Sequence, residues 1–334
     1  MKLLLLTVLL SPFIIIGLML LASNHRTTLV RHYNHWKLQF LRAEERLCGG
    51  HLISAARFAL SWCVPVLYAT LFIVLVTIFF RHTYHKVPDP HPVLYTALLA
   101  ALAVTFILAV FKPPIYHSPL HPHVWRHDNL IFFPSECATC GFQRPPRSRH
   151  CRYCGHCMVL YDHHCIWLNN CVGLGNYQWF YSFLLMNVID MTYGLVIVGA
   201  VLYDEWQGWH RLESCKVEMA LCFLLASFDV LVIWFTHVQY VLVRDGMTTT
   251  ELTKWELIHD LVHSKTLYEL NGVYFEYLAD EDVFVSVNQR DNTIRHVNRN
   301  SLKQVTDIKD IVNIYDLGSL KRNFRERLYT EPFQ

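Results

Sequence analysis

Residues 136–173 read ECATCGFQRPPRSRHCRYCGHCMVLYDHHCIWLNNCVG, and how this stretch is read decides how the rest of the chain is organised. Seven of the eleven cysteines in the protein lie between Cys137 and Cys171. Two-residue gaps separate Cys137 from Cys140, Cys151 from Cys154 and Cys154 from Cys157. Such a gap lets two thiolates turn onto one tetrahedral ion at about 2.3 Å. Reduced cysteines serving as small core hydrophobes fit poorly beside Arg144, Arg147, Arg149, Arg152 and the Pro145-Pro146 pair. The odd total and the dense clustering also argue against an extracellular disulfide framework. With His150, His156, His163 and His164 the stretch offers eleven candidate donors, whereas two closed zinc sites consume about eight. The donors in excess are free for other chemistry.

The densest part is Asp162-His163-His164-Cys165. A cysteine nucleophile has an unperturbed pKa near 8.5 and needs a basic or cationic neighbour to be thiolate at neutral pH, which an imidazole supplies. A carboxylate holds the tautomer of that imidazole and stabilises its protonated form. Adjacency in sequence does not establish hydrogen-bonding geometry. Two readings stay open on these residues alone: a Cys-His-Asp relay, or histidines and a cysteine that only bind metal.

The surroundings of the cluster are apolar. Of 334 residues, 53% are hydrophobic and 17% charged, and the mean hydropathy is +0.24. That balance is unlike an ordinary soluble enzyme. A net charge of only +2 gives no field that would attract nucleic acid. Apolar runs at Leu3–Ala22, Phe58–Phe80, Val93–Phe111, Phe180–Leu202 and Met219–Val243 approach or reach the length needed to cross a bilayer as helix. The expected fold is thus an α-helical integral membrane protein of about five transmembrane helices, with a cytosolic double-zinc cysteine-rich domain and a small cytosolic tail.

Lys and Arg fix the orientation. Segments 24–57, 112–179 and 244–334 carry six, six and twelve, while 1–2, 81–92 and 203–218 carry one, two and two. The richer set is expected in the cytosol. Cleavage of residues 1–22 as a signal peptide would send the cysteine cluster to the oxidising side, so the first run is read as an uncleaved anchor. The expected division is an anchor over 1–23, a cytosolic loop with two helices over 24–111, and the cysteine-rich domain over 112–179 with its core at 137–171. Two more helices over 180–243 and the tail over 244–334 complete it. Within the tail, Leu252, Trp255, Ile258, Leu261 and Val262 suit an amphipathic helix near the membrane, and Val283–Val287 with Thr293–Val297 suit a hairpin.

Residues 137–171 resemble, without a gap, the cysteine-rich domain of the DHHC family of integral-membrane protein S-acyltransferases. The resemblance rests on Arg147-Ser148-Arg149-His150-Cys151, on Asp162-His163-His164-Cys165 with Trp167 beyond it, and on Asn169-Asn170-Cys171-Val172-Gly173. Thr248-Thr249-Thr250-Glu251 resembles the Thr-Thr-x-Glu motif of the family, and Asn313-Ile314-Tyr315-Asp316-Leu317-Gly318 with Asn323 resembles its C-terminal aromatic motif. The Asp-Pro-Gly tripeptide that many members carry is missing from residues 112–136, which puts the docking of that linker in question.

The resemblance implies two structural zinc ions, one on Cys137, Cys140, His150 and Cys157 and the other on Cys151, Cys154, His164 and Cys171. It leaves Cys165 as nucleophile, His163 as general base and Asp162 as orienter, and makes His156 a surface residue. It implies palmitoyl-CoA as acyl donor, with Trp167 expected at its binding site; Arg147 and Arg149, with Arg144 and Arg152, are candidates for its phosphates, although positive-inside topology alone would account for basic residues there. It further implies that Thr249 approaches Asp162 and that Tyr315 packs against the spans. Gly246-Met247-Thr248-Thr249, Asn313–Asp316 and the modest tail look most like the fungal endoplasmic-reticulum branch, although Tyr161 stands where that branch has Ala. Substrates expected from it are membrane proteins with juxtamembrane cysteines, including SNAREs. Rival classes are a RING-like zinc module that only binds partners, and a transporter using the intramembrane Asp190 and Asp229. Neither needs the Asp162–Cys165 run.

Overall fold

Long apolar runs in lipid must satisfy every backbone group within the segment, and helix is how these runs do so. The computed structural model describes residues 51–87, 90–116, 125–207, 215–287 and 301–328. The expected anchor at Leu3–Ala22 and the strand at Thr293–Val297 lie outside them. Two compact units are distinguished, 1–63 and 64–334.

Helix α1 spans His51–Ile78 and contains Pro65. It continues through a π turn, Phe79–Thr83, and a 3-10 turn, Tyr84–Lys86. Helix α2, Pro92–Phe111, starts on a proline, whose missing N–H is harmless in a first turn. Helices α3, Tyr177–Gln207, and α4, Lys216–Arg244, complete the set. Four helical stretches among the described residues, Phe58–Lys86, Pro92–Phe111, Tyr177–Gln207 and Lys216–Arg244, are long and apolar enough to cross a membrane. This is a multi-pass membrane protein.

Polar side chains in the spans pair across helices. Tyr68 donates to Asn187 Oδ1 at 2.8 Å, and Thr192 of α3 donates to Asp229 Oδ2 of α4 at 2.9 Å. Asp229 thereby makes the interhelical bond its place in an apolar span demands.

Chain direction alternates through the spans, so the segment between α2 and α3 emerges at the same end as the tail after α4. That segment is built of three two-stranded antiparallel ladders. They are β1 (Ser135–Glu136) with β2 (Gln143–Arg144), β3 (Arg149–Cys151) with β4 (His156–Met158), and β5 (His163–Cys165) with β6 (Asn170–Val172). Strands this short bury little, so their placement needs other ties. One is the linker: Ile115 N donates to Leu174 O at 2.7 Å and Ile115 O accepts from Val159 N at 3.0 Å. The linker therefore docks without an Asp-Pro-Gly sequence. A second tie is Asn170, whose Nδ2 donates to the carbonyls of Ala109, Val110 and Lys112 at 3.1, 3.2 and 2.7 Å. These carbonyls belong to the end of α2, where the helix leaves acceptors without partners. Asn176 Nδ2 adds a bond to Lys112 O at 3.0 Å.

The tail opens with α5, Thr249–His263, capped by a reciprocal Thr248 and Glu251 box. Strands β7 (Leu267–Leu270), β8 (Val273–Leu278), β9 (Val283–Ser286) and β10 (Lys303–Gln304) form one antiparallel sheet in the order β10-β7-β8-β9. Trp255, Ile258, Leu261 and Val262 of α5 bury with Leu130, Ile131, Leu267, Val305 and Tyr315. The expected amphipathic helix exists, but protein rather than membrane covers its apolar face. Tyr315 is corrected in the same way: it lies in this core and donates to Arg126 O at 2.8 Å instead of packing against the spans. Val283–Ser286 pairs with Val273–Leu278, so the hairpin it forms among the described residues precedes it in sequence. The last helix, α6 (Leu320–Leu328), returns to the ends of α3 and α4, with Phe324 against Tyr181 and Tyr240 at centroid distances of 5.6 and 6.3 Å.

Candidate active site and metal centres

The eight expected ligands fall into two groups, Cys137, Cys140, His150 and Cys157, and Cys151, Cys154, His164 and Cys171; within each, the donor atoms lie within 4.8 Å of one another. In the first, His150 Nδ1 is 3.3 Å from Cys140 Sγ and 3.8 Å from Cys157 Sγ. In the second, His164 Nδ1 is 3.7, 3.5 and 3.5 Å from the sulfurs of Cys151, Cys154 and Cys171. Ligands about 2.0–2.3 Å from a tetrahedral ion are separated by edges of roughly this length. Three thiolates with one imidazole fit zinc, and four ligands leave no position for substrate. Two zinc ions suit these sites in a structural role. The register that pairs His150 with Cys157 and His164 with Cys171 brings partners distant in sequence together. Strand β3 gives His150 to one centre and Cys151 to the other.

Cys165 belongs to neither group. It ends β5 with 7% of its surface exposed. Side chains alternate along a strand, so His163 and Cys165 share one face of β5 while His164 points to the other, towards the second metal centre. One short strand thus presents a zinc ligand on one side and a histidine-cysteine pair on the other.

Asp162 precedes that strand and is completely buried. Its Oδ2 accepts from His163 Nδ1 at 2.8 Å and Thr249 Oγ1 at 2.6 Å; its Oδ1 accepts from Thr249 N at 3.1 Å and Arg327 Nη1 at 3.0 Å. The Asp162 carbonyl accepts from Thr250 Oγ1 at 2.6 Å. Burial works against ionisation of Asp162, but His163, Arg327 and Thr249 outweigh it and hold the carboxyl well below the usual carboxylate range. Burial likewise disfavours the His163 cation, yet hydrogen bonds to Asp162 and Cys165 prevail and raise its pKa to about 10. The Phe180 ring meets His163 edge-on at 5.3 Å and limits its rotation.

The arginines divide. Arg147, expected at the CoA phosphates, is 1% exposed, and that placement is corrected. Its fork pairs with Glu251 at 2.7 and 2.8 Å, Glu326 takes Nη1 at 2.9 Å, and Gly246 O accepts from Nη2 at 2.8 Å. All three guanidinium nitrogens are committed inside the protein. Arg149 is exposed, and Trp167 and Ile166 beside Cys165 are 53% and 59% exposed. His156 is exposed, as expected. Glu326 and Arg327, in the stretch LKRNFRERL, drew no role from the sequence. Their hydrogen-bond partners lie 80 to 201 residues away, at separations no local pattern encodes.

A sequence model of the family described as DHHC palmitoyltransferase matches residues 131–256. The chain is similar to palmitoyltransferase SWF1 of Eremothecium gossypii, 36% identical over 271 residues that cover 80% of each chain. It is 34% identical to palmitoyltransferase SWF1 of Kluyveromyces lactis over 80% of this chain and 84% of that one. To palmitoyltransferase ZDHHC5 of Bos taurus it is 33% identical over 59% of this chain and 30% of that one.

Proposed function

Because the chain belongs to the DHHC family and is a protein S-palmitoyltransferase, we propose that Cys165 is its nucleophile, loaded from a long-chain acyl-CoA such as palmitoyl-CoA. The observation that carries this reading is the partition of the cluster: six cysteines lie in the two metal groups, and Cys165 alone is left over beside His163.

The Cys165 thiolate attacks the acyl thioester carbonyl, a C–S bond forms, and the C–S bond to CoA breaks. His163 holds the proton taken from Cys165 and returns it to the leaving CoA sulfur. In the second half, His163 takes the proton of a substrate thiol, whose sulfur attacks the acyl-Cys165 carbonyl and frees Cys165. One thioester replaces another at each step, so positioning governs the rate. Asp162 keeps the His163 Nδ1 proton in place and balances the imidazolium. Zinc held by Cys137, Cys140, His150 and Cys157 and by Cys151, Cys154, His164 and Cys171 would fix the strands that carry Cys165, its four protein ligands leaving no position for substrate.

The position of β5 supports a substrate class. It is anchored through Asn170 to the end of span α2, so Cys165 lies at the membrane face. A reachable thiol must also lie there, which favours juxtamembrane cysteines of membrane proteins, SNARE-like proteins among them. The acyl chain is assigned to the spans, where each buried CH₂ contributes about 0.8 kcal/mol. Arg149 and Trp167 remain the proposed CoA-side contacts. The charge distribution supports a cytosolic site, and the resemblance supports an endoplasmic-reticulum enzyme. Purified protein is to be incubated with a clickable palmitoyl-CoA analogue. Hydroxylamine-labile label on wild type that is lost in Cys165→Ser upholds the reading, and equal labelling of both overturns it.

A further inference from the structure

The C-terminal helix α6 contributes a side chain to the centre. Arg327 is 2% exposed, in a chain segment 165 residues from Asp162, and its Nη1 donates to Asp162 Oδ1 at 3.0 Å. Its Nη2 donates to the carbonyl of Met247. Its guanidinium carbon lies 4.9 Å from the centroid of the Tyr177 ring. Each anchor belongs to a different part of the molecule: Asp162 to the cysteine-rich segment, Met247 to the turn after α4, and Tyr177 to the start of α3. The neighbouring Glu326 accepts from Arg147 Nη1 at 2.9 Å and from Trp125 Nε1 at 2.6 Å. The Glu326-Arg327 pair therefore fixes the end of α6 from two sides.

A carboxylate has about four acceptor positions. Asp162 fills them with two donors on each oxygen, and Arg327 is one of the two on Oδ1. A buried carboxylate with an unfilled side can turn about its Cβ–Cγ bond towards whatever donor remains. With Arg327 in place, Oδ1 is held away from His163, and Oδ2 is left aligned with His163 Nδ1. Buried cation and buried anion also compensate one another, and either one alone would be costly.

We infer that Arg327 is a positioning residue for acyl transfer: it fixes the plane of the Asp162 carboxylate, and through it the orientation of His163 towards Cys165. This rests on the proposed role of Cys165. Arg327 is buried and spends its guanidinium on Asp162, the Met247 carbonyl and the Tyr177 ring, so its loss is expected to slow the chemical step rather than weaken substrate binding.

The test uses full-length protein in lipid nanodiscs, with single-turnover self-acylation measured over a range of palmitoyl-CoA concentrations and zinc counted per chain. Arg327→Gln is expected to lower the limiting rate about thirtyfold with half-saturation unchanged and zinc retained. Arg327→Lys, which keeps the charge but not the fork, is expected to fall about threefold. A limiting rate in Arg327→Gln within twofold of wild type overturns the inference, as does an equal loss in both variants or a loss carried by half-saturation. Should Arg327→Gln lose zinc, the Lys variant decides alone: a lowered limiting rate at unchanged half-saturation and zinc content upholds the role, and a wild-type rate rejects it. Cys165→Ser runs in parallel. If it labels like wild type, the reading of Cys165 itself fails; if it is inert while Arg327→Gln is fully active, only the present inference fails.

Discussion

Thr249 supplies two of the donors that hold Asp162, and only one of them depends on its side chain. Thr249→Val keeps the backbone N–H and the shape but removes the Oγ1 donation at 2.6 Å. A hydrogen bond to a charged acceptor contributes about 1.5–3 kcal/mol, so if about half of that is felt in the transition state, self-acylation slows by a factor of about four to twelve. Thr249→Ser is expected to recover most of the rate, and single-turnover labelling with zinc counted per chain checks both. A different residue reports on the core beneath. Lys254 Nζ donates to Ile131 O at 2.5 Å and lies 3.7 Å from the Phe132 ring centroid. Burial pushes its ammonium down to about 8, against the opposing pull of Glu251 and Asp128. Between that value and about 10.5 the unfolded chain holds a proton that the folded protein has released, so stability rises with pH across this window. Below it both states are protonated and the contribution is flat. Melting temperatures from pH 7.5 to 10 are expected to rise less steeply in Lys254→Met than in wild type. The cluster was legible in the sequence because its cysteines and histidines crowd one short stretch at metal-ligand spacing, whereas its division into zinc ligands and a proposed nucleophile with its histidine came from the family resemblance, residue chemistry alone leaving two readings open. Arg327 and the burial of Arg147 were not legible, since a charged side chain reads as solvated until a distant partner is known.

At the scale of elements, the junction between α4 and α5 carries the most constraint per residue. Gly246 has φ +65°, and a Cβ there would lie 2.6 Å from Asp316 Cα and 2.8 Å from Tyr315 O. Both are backbone atoms that cannot step aside as a flexible side chain would. Gly246→Ala is therefore expected to destabilise by about 2 kcal/mol or more, read as a lowered melting temperature and lost tail protection. Thr248→Ala two residues later removes the cap on Glu251 N and is expected to cost about 1 kcal/mol by the same measurement. The sequence showed the four spans among the described residues, because apolar length is local, and it marked the Thr248–Glu251 turn through the family motif, which the structure uses as a capping box. It misplaced α5 and Tyr315 for a related reason. An amphipathic face announces that something covers it, but whether lipid or protein does so is decided by Leu130, Ile131 and Val305, which converge only in three dimensions.

Across the whole molecule, the zinc-bearing segment has little regular structure with which to hold itself. Its ladders are two or three residues long and its apolar clusters small, so metal coordination is expected to contribute a large share of the free energy that orders it. The spans do not share this dependence, because their backbone hydrogen bonds close within each helix. The tail is an intermediate case: it has its own apolar core, yet α5 is tied to the zinc segment through Arg147 with Glu251 and through Asp162 with Thr249, and α6 through Arg327. Stripping zinc with a chelator should then act unevenly. Far-UV circular dichroism is expected to retain most of its helical signal, while self-acylation disappears together with about two zinc ions per chain. Hydrogen exchange is expected to accelerate across 135–172 and also in Thr249–Glu251 and around Arg327, where removal of the partners leaves buried charges uncompensated. The buried face of α5 at Trp255, Ile258 and Leu261 should stay slow, because its partners in the core do not bind metal. Uniform acceleration throughout the tail would show that its core cannot stand without the zinc segment. Unchanged exchange at Thr249 and Arg327 would show that the ties to Asp162 carry no stability.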